Sequence, residues 1–222
     1  MVITLSILLI LSAYLLGSIP TAQLVAHWVK RIDIRQYGSG TVSGSMVWEH
    51  VARWAIVPVG LFDIAKGAFP TWLGLQLGLE GGVAVGAGLA AVIGHNWPIY
   101  LGFIGGRGLS PFAGTLLVMF PWGVPWVLVP LAVGYLLGDS APWAFASLVT
   151  LPLLVYWLDG QAATYWLTGG MLLLTIVKRL EANRRPLPPS GAERREALLR
   201  RLFFDRDIAS HPDWINRRPD SS

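Results

Sequence analysis

An all-α bundle of about seven membrane-spanning helices, amino terminus outside and carboxyl terminus cytoplasmic, is the fold this sequence predicts. Three observations predict it. Of 222 residues 54% are hydrophobic and only 14% charged, far from the quarter that is usual in a soluble domain. Apolar runs approaching the roughly 20 residues that a bilayer requires recur from the start to Lys178. Of the 17 Lys and Arg, 11 lie in the last 45 residues and three more stand at Lys30, Arg31 and Arg35. The positive-inside bias places both basic regions in the cytoplasm, which makes the number of spans odd.

The runs fall at 3–29, 55–78, 82–101, 109–121, 124–138, 141–158 and 160–178. The first has no basic residue ahead of it and continues past Pro20, so it reads as a retained span and not as a cleaved signal peptide. The fourth and fifth are short, and five spans is the second choice. With seven, the loops at 30–54, 102–108 and 139–140 are cytoplasmic, and the external loops hold Glu80 and Asp159 without any Lys or Arg. Residues 1–180 form the membrane unit. Residues 181–222 form a basic cytoplasmic tail, amphipathic along A-E-R-R-E-A-L-L-R-R-L-F-F, suited either to an anionic leaflet or to solvent, with Asp213 onward disordered.

The chain has no cysteine, which excludes disulfides, thiolate metal sites and a thioester route to acyl transfer. No metal, cofactor or nucleic-acid partner is expected. The expected state is a monomer among membrane lipids.

Four polar clusters interrupt the apolar runs. Gly17 to Ala22, G-S-I-P-T-A, places a proline inside the first run, where it kinks a helix and frees carbonyls that neighbours must satisfy. A packing kink and a wall for a polar cavity are both open readings. The loop from Lys30 to His50 interleaves Gly38, Gly40 and Gly44 with Ser39, Thr41, Ser43 and Ser45, just after Arg35. Hydroxyls, flexible backbone and an arginine suit a phosphate, as does a merely solvated loop. Asp63 and Lys66 are three apart and share a helix face inside the membrane, where each charge alone costs about 2.5–3.5 kcal/mol at mid-span. They read as a structural pair or as a lysine for a substrate phosphate oriented by an aspartate.

The fourth cluster, Gly94 to Gly108, reads G-H-N-W-P-I-Y-L-G-F-I-G-G-R-G. His95 and Asn96 close one run, and Gly105, Gly106 and Gly108 surround Arg107. Such glycines let backbone N–H groups approach an anion, Arg107 adds a fork that matches phosphate, and His95 is a candidate proton carrier or substrate ligand. From Leu109 to Val177 there is no Lys or Arg, and no chemistry is assigned there.

In this order the clusters resemble the bacterial acyl-phosphate-dependent glycerol-3-phosphate acyltransferases, the PlsY family. The matching stretches are Tyr14 to Ala22, I-D-I-R-x-x-G-S-G at Ile32 to Gly40, D-x-x-K-G at Asp63 to Gly67, and Gly94 to Gly108. The resemblance implies a seven-span enzyme of the bacterial inner membrane. It implies acyl transfer from acyl phosphate to the 1-hydroxyl of glycerol 3-phosphate, giving lysophosphatidic acid. His95, Asn96, Lys66 and Asp63 would then be catalytic, and Arg35, Gly38, Ser39, Gly40, Thr41, Ser43, Gly105, Gly106, Arg107 and Gly108 would bind phosphate. The family carries two asparagines after Gly-Ser-Gly, then an arginine, where this chain has Thr41, Ser43, Met46 and Glu49. Its Gly-Gly-Lys-Gly is Gly-Gly-Arg-Gly here, and the Thr-Ser that follows is Pro111 and Phe112.

The H-x4-D motif of other acyltransferases and the G-x-S-x-G nucleophile elbow are absent. Rival readings are an organic-anion carrier, with Lys66, His95 and Arg107 along a pathway, and a non-catalytic protein that binds lipid phosphate.

Overall fold

The computed structural model describes residues 1–189 and 191–218, and among them there are helices and no strand. The helices are α1 (Val2–Gly17), α2 (Thr21–Lys30), α3 (Gly44–His50), α4 (Ile56–Gln76), α5 (Gly81–Asn96), α6 (Leu109–Met119), α7 (Gly123–Leu136), α8 (Ser140–Leu158), α9 (Ala162–Glu181), α10 (Gly191–Phe204) and α11 (His211–Ile215). Six of the seven expected spans correspond to α4 through α9. The first does not form one helix. It divides into α1 and α2 at Pro20, whose ring and missing N–H disfavour a continuous α-helix, although α4, α7 and α8 carry Pro70, Pro130 and Pro152 without dividing.

The outer faces are apolar and the inside is built from small side chains. Leu8, Leu11, Leu61, Leu128, Leu153 and Trp166 are exposed, the inverse of a soluble protein and the pattern of a lipid-facing surface. Among the described residues three segments are long and apolar enough to cross a membrane: Val2–Lys30 taken across its break, Gly81–Leu101 and Ser140–Leu158. At about 1.5 Å per residue the 11-residue α6 and 14-residue α7 reach only about 16 and 21 Å, short of a hydrocarbon layer of about 30 Å. Phe112 and Leu116 of α6 meet Val85 and Val92 of α5, Leu148 and Leu151 of α8, and Leu167 and Met171 of α9 in the main core.

Two helix pairs approach so closely that side chains are excluded at the crossing. A Cβ on Gly67 of α4 would lie 1.8 Å from the carbonyl oxygen of Pro111, and one on Gly114 of α6 would lie 1.9 Å from that of Ile64. On α1 and α5, Gly17 meets the carbonyl oxygen of Ala91 and Gly94 that of Tyr14, each at 2.2 Å from a built Cβ. Without a hydrophobic drive between helices in lipid, such small-residue contacts hold the bundle together. They also fix the relative heights of α1, α4, α5 and α6 at the end of the bundle where the polar clusters gather.

The tail departs from expectation. Residues 191–204 fold back as α10, with Ala197 and Arg201 buried, and Asp213 lies within α11 instead of in a disordered end. The reason is specific polar pairing: the Arg201 guanidinium donates to the carbonyls of Leu180, Arg185 and Pro186 and pairs with Asp207. Residues 219–222, expected to be disordered, lie outside the described residues.

Gly114→Ala is expected to lower the thermal midpoint of the purified protein, by a destabilisation of about 1–3 kcal/mol or more from overpacking at the α4–α6 crossing. Gly169→Ala, on α9 where a Cβ meets nothing within 4 Å, is expected to leave the midpoint unchanged or raise it. A thermal-shift series in detergent checks both.

Candidate active site

The break between α1 and α2 leaves the carbonyl of Ile19 without a helical partner, and a lysine from α4 takes it. Lys66 Nζ donates to Ile19 O and lies 2.7 Å from Asp63 Oδ1. Both side chains are buried, as three-residue spacing on one helix face allows. Thr21, the first residue of α2, donates its hydroxyl to the same Asp63 oxygen at 3.1 Å. His95 at the end of α5 completes the group, with Nδ1 3.8 Å from Asp63 Oδ1. A small cavity of about 10 Å³, near the size of one water, is lined by Ser18, Ile19, Thr21, Asp63 and His95.

The glycine turn packs against the other side of His95. A Cβ on Gly106 would lie 2.0 Å from His95 Nε2, so only glycine fits, and Gly106 N–H donates to His95 O at 3.0 Å. Of the three site glycines in this turn only Gly108 takes a left-handed φ, +74°. The turn is joined to the serine- and threonine-rich loop by Val42 N–H donating to Gly105 O at 3.3 Å. Along that loop the hydroxyls of Ser39, Thr41 and Ser43 form a ladder, 2.7 Å and 3.1 Å apart.

The backbone cradle inferred from the glycines is mostly occupied. Gly38 N–H donates to Arg217 O, Gly40 N–H to Tyr37 O, Thr41 N–H to Ser39 Oγ and Gly106 N–H to His95 O. These four N–H groups are taken, so an anion here meets side chains or the remaining N–H groups of the two loops. Arg35 is also turned away from the ladder: Asp33, two residues before it, holds its guanidinium at 2.7–3.2 Å, and Leu101 O accepts at 3.3 Å. The pairing pushes Asp33 below, and Arg35 above, their usual ranges. Arg107 Nε donates to Asp205 Oδ2 at 2.7 Å, and Nη1 reaches Lys178 O at 3.4 Å. Asn96 is fully buried against Gly108, and neither its Oδ1 nor its Nδ2 has a hydrogen-bond partner.

Several site residues come from the end of α9 and beyond, which sequence analysis treated only as tail charge. Asn183 Nδ2 donates to Gly40 O at 3.0 Å and to Gly105 O at 3.2 Å, bridging the two glycine loops, while its Oδ1 is buried and unpartnered. Arg185 donates to Ser39 O at 2.7 Å, and burial together with the nearby Arg217 pushes its pKa down to about 10. Trp214 of α11 is buried between the guanidinium groups of Arg185 and Arg217. Lys178 is fully buried, paired with Glu181 and set over the Trp97 ring. The only sequence signal for this group is the dense K-R-L-E-A-N-R-R run that ends the last apolar segment. Among the described residues no group of three or more His, Cys, Asp or Glu is placed to hold a metal ion.

The arrangement gathers a buried ammonium, an imidazole, the unsatisfied amide of Asn96, the unpartnered Asn183 Oδ1 and a row of hydroxyls at one end of the bundle. Such a set can bind anions and polarise a carbonyl or leaving group, and no cysteine nucleophile is available to it.

Comparison with known proteins gives the same direction. A family model described as glycerol-3-phosphate acyltransferase matches residues 7–187, ending before α10. "Glycerol-3-phosphate acyltransferase 4" of Dehalococcoides mccartyi strain CBDB1 is 38% identical over 221 residues, covering 95% of this chain and 93% of the relative. A glycerol-3-phosphate acyltransferase of Synechococcus sp. strain CC9902 is 36% identical, covering 71% of this chain and 80% of its own. The crystal structure of PlsY (YgiH), an integral membrane glycerol 3-phosphate acyltransferase in its glycerol 3-phosphate form, superposes with a TM-score of 0.73 at 25% identity. It covers 81% of this chain and 90% of the other. With the polar end of its bundle and these matches in agreement, this membrane chain belongs to the glycerol-3-phosphate acyltransferase family.

Proposed function

We propose that this protein transfers an acyl group from acyl phosphate to the 1-hydroxyl of glycerol 3-phosphate, releasing lysophosphatidic acid and inorganic phosphate. One observation carries the assignment of the site: Asp63, Lys66 and His95 are buried together against the broken first helix, beside the glycine turn. An ammonium is kept at such depth at a cost unless it meets an anion.

In this reading the hydroxyl oxygen of glycerol 3-phosphate attacks the acyl carbonyl carbon. The bond between that carbon and the phosphate oxygen breaks, and the hydroxyl proton leaves with the departing phosphate or passes through His95. Acyl phosphate is a mixed anhydride and already activated, so no covalent acyl-enzyme is required. Lys66 neutralises charge on the phosphate, held in place by Asp63, whose other contacts are Thr21 and His95. Ser39, Thr41 and Ser43 offer hydroxyls, and Asn96 offers an amide whose oxygen and nitrogen both lack partners in the protein. Arg107 supplies a second cation. Most of the acceleration then comes from positioning and charge neutralisation.

The same reading places the site at the cytoplasmic face of a bacterial inner membrane. Seven spans, α1 and α4 through α9, run alternately outward and inward, from an external amino terminus to a cytoplasmic carboxyl end. Residues 1–180 form the membrane unit and the segment from 181 onward covers its cytoplasmic end. One chain supplies every group named here, which supports a monomer as the functional unit. A carrier would need polar groups continuing to the far end of the bundle. There the core is Val85, Leu116, Phe120, Val127 and Val155.

Purified protein given palmitoyl phosphate and labelled glycerol 3-phosphate is expected to form lysophosphatidic acid, with Lys66→Met lowering the rate about 100-fold or more. Equal product from both proteins would remove the reading, and labelled glycerol 3-phosphate entering proteoliposomes without product would replace it with the carrier.

A second expectation separates chemistry from stability. Lys66→Met alone strands a buried carboxylate, at about 3–5 kcal/mol, and lowers the thermal midpoint. The double variant Asp63→Asn with Lys66→Met is expected to recover much of that midpoint and none of the activity.

A further inference from the structure

The turn that follows α10, Asp205-Arg206-Asp207, reaches three separate parts of the molecule. Asp205 pairs with Arg107 of the glycine turn, Arg206 with Asp139 between α7 and α8, and Asp207 with Arg201 and, at 3.8 Å, with Arg185. Asp205 is the member whose placement local chemistry opposes. It takes a left-handed φ of +54°, where glycine is favoured, and follows the last turn of a helix, with its N–H donating to Arg201 O at 3.1 Å. A carboxylate is also the wrong charge for a helix carboxyl end. One of its oxygens, Oδ1, is buried and has no partner. An unfavourable charge at a helix end and an unmatched oxygen are tolerated at a residue whose one hydrogen-bonding side-chain partner is Arg107.

Arg107 is itself held incompletely. Its Nε donates to Asp205 at 2.7 Å, its Nη1 makes only a 3.4 Å contact with Lys178 O, and the side chain is 16% exposed. One carboxylate oxygen on one guanidinium nitrogen is the weaker form of this pairing. The two-point match of guanidinium with a planar or tetrahedral oxyanion is stronger. A phosphate dianion carries twice the charge of Asp205 and offers that second oxygen.

We propose that Asp205 is an internal stand-in for substrate phosphate: it occupies Arg107 in the empty site, and the phosphate of an incoming substrate displaces it. This rests on the assignment of Arg107 to the phosphate site. Displacement leaves the Asp205 turn held only by Arg206 with Asp139 and by Asp207 with Arg201 and Arg185, so the segment loosens as substrate binds. The carboxylate thereby sets the affinity of the site for its anion, and keeps the guanidinium extended toward the glycine turn until the anion arrives.

Asp205→Asn keeps the shape and removes the charge. It is expected to lower the KM for the substrate whose phosphate meets Arg107 about fivefold, with kcat within about twofold. Measuring KM for glycerol 3-phosphate and for palmitoyl phosphate separately identifies which phosphate it is. Arg107→Ala is expected to raise the same KM. If Arg107→Ala raises KM while Asp205→Asn leaves both KM values unchanged or higher, displacement is wrong and the phosphate site stands. If Arg107→Ala changes neither KM, the assignment of Arg107 fails and takes the proposal with it. Hydrogen exchange on the unmodified protein gives a second readout that needs no variant. Backbone amides at 205–210 are expected to exchange faster when glycerol 3-phosphate or inorganic phosphate is added, and unchanged or slower exchange with both overturns the proposal.

Discussion

A carbonyl freed by a proline and a lysine that must not be left alone solve each other's problem, and the polar end of this bundle is arranged around that solution. Pro20 interrupts the helix, and Ile19 O, whose partner in its own segment is the Thr21 N–H at 3.0 Å, has a second lone pair for Lys66. Lys66 carries a charge that is costly on its own in the same place. With Ile19 O and Asp63 both accepting from Lys66 Nζ, neither group is stranded, and Asp63 is further held by Thr21 from the restarted helix. The broken helix is therefore part of the site and not only a bend in its wall. Removing Lys66 leaves the Asp63 carboxylate with no buried cation at hydrogen-bond distance, only the Thr21 hydroxyl and the nearby His95.

The position of this cluster follows from how closely the helices pack. Gly67 and Gly114 bring α4 against α6, and Gly17 and Gly94 bring α1 against α5, with backbone touching backbone. Lys66 is one residue from the first crossing, and His95 is one residue from the second. A shift of about 1 Å at either crossing would move a site side chain by a similar distance, enough to spoil the hydrogen bonds that hold Lys66 and Asp63. In this chain the residues that pack and the residues that react are sequence neighbours, so the packing sets the geometry directly.

What could be read from the sequence was what depends on short spacing. Apolar run lengths located α4 through α9, the proline located the break, and the three-residue interval located the Asp63–Lys66 pair. His95 could be placed beside the glycine turn because only ten residues separate His95 from Gly105. Arg35 carries a competitor that is visible in I-D-I-R: Asp33 stands two residues away and pairs with the guanidinium, so a phosphate there would have to share it. At Gly105 and Gly106 it is the missing Cβ, not a left-handed backbone, that the structure requires, since His95 and its neighbours fill the space a side chain would take. The contributions of Asn183, Arg185 and Asp205 depend on the chain returning from the far side of the last span. Their partners lie 78 to 147 residues away in sequence, beyond any local pattern.

That return also bears on the two asparagines that the resembling family carries after Gly-Ser-Gly and this chain lacks. The backbone oxygens of Gly40 and Gly105 receive an amide here, but it comes from Asn183; Thr41, at the first of those two positions, belongs to a hydroxyl ladder, and Met46, at the second, is buried in an apolar cluster. Hydroxyls both donate and accept, so Ser39, Thr41 and Ser43 can reverse their donor direction when an anion arrives, which a fixed amide cannot do. Exchanging lysine for arginine in the glycine turn has a comparable consequence. A lysine would bring a mobile point charge, whereas Arg107 brings a rigid fork that needs an oxyanion on its edge at all times, and Asp205 meets that need from within the chain. Arginine in the turn and a carboxylate in the returning segment are thus one coupled feature, and the polar end of this bundle is built from both ends of the sequence.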